Sequence, residues 1–218
     1  MTRNLRILCL HGHHGNAMIL RQQMSGLTQK LRPQFEWDYV DAPSLAERDY
    51  GWWNAIESSP QTPVSAAKVS LQYAGWERSR AFLCERLALG RYDGIFGFSQ
   101  GAAMASLLVG LRSPDRSRRE PWFNFAVMVG GFESRDPSHA QIYAQQELYA
   151  LPTLHLIGAT DRIVAPEMSF ALAARFQRAE VVMHRGGHIV PSDDSSSAKV
   201  GTFLDACALI AEQIERPA

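Results

Sequence analysis

The chain has 218 residues, enough for one domain with a substantial buried core. It is 46% hydrophobic and 20% charged, and its 22 basic residues balance 22 acidic ones, so nothing favours nucleic acid or an anionic membrane as partner. Cys9, Cys84 and Cys207 are widely spaced among apolar neighbours, which excludes a disulfide framework or a Cys-x-x-Cys zinc site and reads as buried thiols.

The apolar part of Met1–Leu10 is too short for a signal peptide, and no apolar run reaches membrane-spanning length, so a cytoplasmic location is expected. Residues 6–10 form a continuous apolar run, as in a strand buried on both faces. It stops at His11-Gly12-His13-His14-Gly15-Asn16. Ala17, Leu20, Met24, Leu27 and Leu31 then mark one face of a helix closed by Pro33. Residues 35–40 read as a second strand. From Ser44 to Gly75 the chain looks irregular, with Trp52-Trp53, Pro60 and Pro63, and a connection of that length suggests a lid or binding loop. A helical pattern returns over 76–89, ended by Gly90. Residues 92–98 form a third strand, and Gln100 to Leu111 is apolar all round, as in a buried helix. Arg112, Arg116, Arg118 and Arg119 cluster around Pro114 and Pro121 and read as a solvated loop. Residues 125–129, 153–157 and 180–184 continue as strands. The Glu133–Leu151 stretch is a second, partly helical cap candidate, a helix is expected over about 166–177, and Val200, Phe203, Leu204, Cys207 and Ile214 mark one face of a final helix with N-cap candidates over Asp193 to Ser197. Six strands alternating with helices predict an α/β fold: a mostly parallel sheet with helices on both faces, in a single domain over 1–218.

Gly97-Phe98-Ser99-Gln100-Gly101 lies between the third strand and the buried helix. That is the pattern of a nucleophile elbow, whose glycines let strand and helix backbones approach closely and whose central Ser99 stands exposed. Ligands of such sheets bind beyond the carboxyl ends of the strands. His11-Gly12-His13 follows the first strand, Asp161 the fifth and His188 the sixth. Serine, aspartate and histidine in that chain order is the order of α/β-hydrolases. Ser99 is then the candidate nucleophile, His188 the base and Asp161 its orienting acid. The backbone N–H groups of Gln100 and His13 are the candidate oxyanion donors. His184, Asp193 and Asp194 compete for the same roles, but His184 ends a strand and the two aspartates look like helix caps. His11, His13 and His14 invite a metal reading, yet no carboxylate or cysteine accompanies them, and His11 reads better as a residue that fixes the loop. At least one of Trp52 and Trp53 should be core, and one could line an apolar pocket. Phe98, Phe132, Val164 and Ile189 adjoin the candidate loops and are further substrate-binding candidates.

Leu10-His11-Gly12 with Asn16, Asp41-Ala42-Pro43, Trp52-Trp53, Gly97-Phe98-Ser99-Gln100-Gly101-Ala102, Pro152-Thr153-Leu154-His155, Gly158-x-x-Asp161-x-x-Val164 and Gly186-Gly187-His188-x-x-Pro191 occur in that order. Together they resemble the serine hydrolase family, within the α/β-hydrolases, that includes the ovarian-cancer-associated esterase and the fungal thioesterases that release polyketides. The resemblance spans about Arg6 to Val200. It implies hydrolysis of an ester or thioester through Ser99, Asp161 and His188, with no metal or organic cofactor.

The sequence therefore leads us to expect a carboxylesterase or thioesterase acting through an acyl-enzyme on a small-molecule substrate with an apolar acyl group. A thioesterase that unloads a chain from an acyl carrier protein, and a hydrolase of lactones or carbon–carbon bonds, fit the same residues, and a homodimer is left open. A non-catalytic small-molecule binder would have no need of all three polar residues.

Overall fold

The computed structural model describes residues 4–44, 51–58, 70–111, 122–144 and 149–215. The basic cluster from Arg112 to Arg119, and Pro60 and Pro63, lie outside them. Six strands, β1 (Leu5–Leu10), β2 (Phe35–Val40), β5 (Gly94–Phe98), β6 (Phe125–Val129), β7 (Pro152–Gly158) and β8 (Arg178–His184), form one sheet. Its order is β2-β1-β5-β6-β7-β8, and every pairing is parallel. Such pairing needs a crossover between strands. The crossovers carry α1 (Ala17–Thr28), α2 (Trp76–Leu89), α3 (Gln100–Val109), the short α4 (Ala140–Tyr143) and α5 (Pro166–Ala173), and α6 (Asp194–Glu215) follows β8.

The central strands are buried on both faces, which explains their unbroken apolar runs. The pleat sends alternate residues to opposite sides. Ile7, Cys9, Phe96 and Val127 pack with Leu20 and Met24 of α1 and with Phe203 and Leu204 of α6. Leu8, Leu10, Ile95 and Met128 pack with Leu83 of α2, with Met104 and Leu107 of α3 and with Leu172 of α5. Among the described residues no helix is long and apolar enough to cross a membrane.

Among the boundaries that differ from the expected ones, three stand out. The third strand starts at Gly94, not at Tyr92, because Asp93 bonds Arg6 with both backbone and side chain: its N–H donates to the Arg6 carbonyl and its Oδ2 accepts the Arg6 N–H, each at 2.8 Å. The supposedly irregular 44–75 segment contains an antiparallel hairpin of β3 (Asn54–Ser58) and β4 (Ser70–Ala74). In the 133–151 segment the described helical structure is a single turn at Pro137–His139 running into α4.

The sheet order reverses direction between β1 and β5: from β1 the chain steps to β2 on one side, and it later builds β5 to β8 on the other. A crevice at that point, beyond the carboxyl ends of the strands, is where an open α/β sheet binds its ligands. Leu10 pairs with Gly97 there, and Ser99 follows directly.

Candidate active site

Ser99 has φ 55° and ψ −120°, a backbone conformation that non-glycine residues seldom adopt. Three things hold it there. Its N–H donates to the Val129 carbonyl at 2.8 Å, and its carbonyl accepts from Ala102 and Ala103 in the first turn of α3. The following helix is entirely buried, so it cannot swing away to relieve the strain. The glycines on either side complete the turn: a Cβ on Gly97 would strike the first turn of α3, and one on Gly101 would strike the Leu10 and His11 carbonyls. The pentapeptide thus folds as the elbow that its spacing predicts.

Asp161 and His188 lie just beyond the neighbouring strands β7 and β8. Their Oδ2 and Nδ1 are 2.6 Å apart, and the two side chains are 2% and 11% exposed. Asp161 Oδ1 accepts the N–H groups of Ile163 and Val164, both at 2.9 Å. Burial alone would raise its pKa, but the His188 bond and the two N–H donors outweigh that and hold the carboxyl below its ordinary range. An ionised carboxylate only accepts, so the proton of this bond sits on His188 Nδ1. Phe98 packs against the His188 ring at a centroid distance of 4.9 Å. Gly130, at the end of β6 with φ +54°, leaves the space that the pair occupies: a Cβ there would lie 3.0 Å from His188 Cε1.

The competitors are employed elsewhere. Asp193 Oδ1 caps α6 by accepting the Ser196 N–H at 3.0 Å, and Asp194 pairs with Lys30 at 2.7 Å. His184 is buried at the end of β8, and burial pushes its pKa down.

His11 is fully buried, with both ring nitrogens in use. Nδ1–H donates to the Gly12 carbonyl at 2.8 Å, and Nε2 accepts the Ala42 N–H at 3.1 Å. Burial lowers its pKa and keeps it neutral, so it fixes the loop, and neither nitrogen is free to join His13 and His14 around a metal. His13 and His14 occupy the tip of the turn closed by the Gly15 N–H to Gly12 carbonyl bond.

A cavity of about 460 Å³ opens beside the elbow. Ser99, Gln100 and His13 line one part of it. Phe132, Ile163, Val164 and Met168 form one wall, and Trp53, Ala55, Leu71 and Tyr73 another. The candidates Trp53, Phe132 and Val164 therefore meet at the cavity. The candidates Trp52, Phe98 and Ile189 do not line it. Trp52 is core: its Nε1–H donates to the His11 carbonyl at 2.8 Å and its carbonyl accepts from Ser79. Phe98 points to the α1/α6 side of the sheet, and Ile189 is exposed beyond His188.

Two contributions were invisible in the sequence reading. The Gln100 side chain ties the elbow to the tryptophans, with Oε1 accepting the Trp52 N–H at 2.8 Å and Nε2 donating to the Trp53 carbonyl at 2.9 Å. Arg135 also lines the cavity. Nothing in its neighbourhood in sequence signals that position. The Gly130-Gly131 pair, by contrast, was a readable sign of crowding at a strand end.

Comparison with known proteins agrees with this architecture. The model of the family described as serine hydrolase (FSH1) matches residues 1–200. Esterase OVCA2 of Xenopus tropicalis is 32% identical over 220 residues, covering 93% of each chain, and the human esterase OVCA2 is 30% identical over 94% of this chain and 98% of its own. Zea mays acyl-protein thioesterase 2 superposes with a TM-score of 0.63 at 19% identity over 95% of both chains, which shows a shared fold. The chain is an α/β-hydrolase-fold enzyme and belongs to the FSH1 serine hydrolase family.

Proposed function

We propose that the protein hydrolyses carboxylic esters or thioesters through a Ser99–His188–Asp161 triad, with an apolar acyl group held in the cavity beside Ser99. The observation that carries this reading is the 2.6 Å Asp161–His188 bond at adjacent strand ends, with the His188 ring packed on Phe98, the residue before a serine held at φ 55°. With Nδ1–H committed to Asp161, His188 Nε2 takes the proton of the Ser99 hydroxyl as it attacks the substrate carbonyl. Asp161 stabilises the imidazolium that results. The tetrahedral oxyanion accepts from the N–H groups of Gln100 and His13. Gln100 opens α3, so its N–H has no carbonyl one turn earlier to bond. Loss of one such donor costs about 3 kcal/mol of transition-state stabilisation. His188 then delivers its proton to the departing alcohol or thiol, leaving an acyl-Ser99 ester that water hydrolyses by the same steps in reverse roles. Trp53, Phe132 and Val164 contact the acyl chain.

A fluorophosphonate probe tests the centre of this reading. Wild-type protein is expected to be labelled and Ser99→Ala to remain unlabelled. An unlabelled wild type, or equal labelling of both, overturns it.

A further inference from the structure

Of the residues that line the cavity, Arg135 alone is an Arg, Lys, Asp or Glu, and it shares that cavity with Ser99 and Gln100. Its guanidinium makes no hydrogen bond or ion pair with any described residue, whereas Arg6, Arg80, Arg86 and Arg175 are all paired. Three described acids of the surrounding loops are engaged elsewhere. Glu133 is held by Arg175 at 2.8 Å, and Asp161 by His188. Asp136 accepts from the Tyr73 N–H at 2.8 Å and from the N–H and hydroxyl of Ser138. Arg135 is nonetheless anchored at its base: its backbone N–H donates to the Tyr73 hydroxyl at 2.9 Å, and the Tyr73 ring stacks on Trp53 at 4.6 Å and 7°. A guanidinium fork with no partner among the described residues, at the edge of a cavity whose other described lining residues include no Lys, Asp or Glu, matches the geometry of a carboxylate.

We propose that Arg135 selects an acyl group ending in a carboxylate, so that the preferred substrates are hemi-esters or hemi-thioesters of dicarboxylic acids. This rests on the triad reading above and extends it. The cavity takes the acyl side because Ser99 and both oxyanion residues line it, while His188, which protonates the leaving group, does not. The apolar part of the acyl chain lies against Phe132, Val164, Met168 and Leu71, and the far carboxylate meets Arg135. The chemistry is unchanged. The Ser99 Oγ–carbonyl bond forms as the bond to the alcohol or thiol breaks, and that group leaves with the proton from His188. Water then releases the dicarboxylate. The distal carboxylate is neither formed nor consumed, and no oxidant or reductant is involved.

The test compares p-nitrophenyl hemiadipate with the p-nitrophenyl ester of the neutral acid in which an isopropyl group replaces the far carboxylate. Wild type is expected to favour the hemi-ester by about tenfold in kcat/KM at low salt, with the preference narrowing as salt rises, because Arg135 is exposed to solvent. Arg135→Gln is expected to abolish the preference, and Arg135→Lys to restore part of it, since a point charge lacks the fork. A wild-type ratio at or below one overturns the inference. So does an Arg135→Gln variant that slows both substrates by the same factor, and so does a preference for a carboxylate placed on the alcohol side instead. Fluorophosphonate labelling of the same preparations separates the levels. Labelling without a hemi-ester preference sinks this inference alone, whereas no labelling removes the triad reading and the inference with it.

Discussion

At the elbow, all ten residues of α3 are buried, and Ser99 is tied at once to β6 and to the first turn of its helix. At the rim of the cavity the structure is thinner. Hairpin β3–β4 meets the 133–144 segment through the Tyr73–Asp136 and Arg135–Tyr73 hydrogen bonds and through the packing of His139 against Tyr73 and Trp76. A fully packed region can hold a strained backbone; a region joined by a few bonds and rings can change its lining without disturbing the sheet. On the proposed reading, chemistry and selectivity are carried by different parts of the molecule. Substitutions at the elbow are expected to affect every substrate and the fold, and those at the rim to redistribute activity among substrates.

The largest effects belong to the reacting groups. Ser99→Ala is expected to lower kcat by roughly a millionfold, as removal of an activated nucleophile does. Asp161→Asn is expected to keep the fold but lose roughly ten-thousandfold, because the amide can leave His188 in the wrong tautomer. Both are read by steady-state kinetics alongside circular dichroism. Full activity in Asp161→Asn would remove Asp161 from the acid role. Gly101→Ala comes next. Its Cβ would collide with the Leu10 and His11 carbonyls, which are backbone and cannot rotate aside. The expected loss is about 3 kcal/mol of stability by chemical denaturation, with activity falling on all substrates alike. A Gly101→Ala protein of normal stability would mean that the elbow is no more rigid than the rim.

The division between elbow and rim also explains what could be read in advance. Residues 97–101 announce their turn because the backbone itself demands glycine on both sides of Ser99. The continuous apolar runs reveal strands covered on both faces. The order of the strand ends brings Asp161 beside His188 because β7 and β8 are neighbours. The hairpin stayed hidden because β3 and β4 are five residues each, and the alternation of Leu71 and Tyr73 in β4 is too short to stand out in a segment carrying Pro60 and Pro63. Trp52 and Trp53 are adjacent and chemically identical in sequence. Only the Gln100 side chain, bonded to the backbone of both, and the Trp52 indole bond to His11 separate the core ring from the cavity ring. Arg135 could not be found from its neighbours either, since its position depends on a tyrosine about sixty residues earlier, as the separation in the Arg135–Tyr73 bond records.

Acid should loosen the sheet before the carboxylates titrate. His155 on β7 is buried beside Phe176, and burial pushes its pKa down from 6.5 to about 4. The native state therefore holds it neutral while the unfolded chain protonates it near 6.5. Its contribution to stability is full above that pH, declines as pH falls towards about 4, and amounts at most to about 3 kcal/mol. His11, His139 and His184, also lowered by burial, act in the same direction. Urea midpoints between pH 7.5 and pH 4.5 are expected to fall, and His155→Gln to flatten part of the slope. An unchanged slope in the variant would mean that His155 is not held neutral by the fold.

The smallest expected effect sharpens the division most, because it lies wholly at the rim. Tyr73→Phe keeps the ring stacked on Trp53 but removes the hydroxyl that accepts the Arg135 N–H. One neutral hydrogen bond is worth about 1 kcal/mol net, so stability should drop by no more than that. The consequence should appear in substrate choice. With the base of Arg135 released, the preference for a carboxylate-ended acyl group should shrink through a higher KM for the hemi-ester, with kcat nearly retained, because the Tyr73 hydroxyl bonds the Arg135 backbone and the Asp161–His188 bond does not involve it. Measuring kcat and KM separately on the charged and neutral esters decides this. If Tyr73→Phe instead lowers kcat on both esters by a common factor, the hairpin is part of the catalytic frame, and the separation between elbow and rim fails at the point where it was expected to be cleanest.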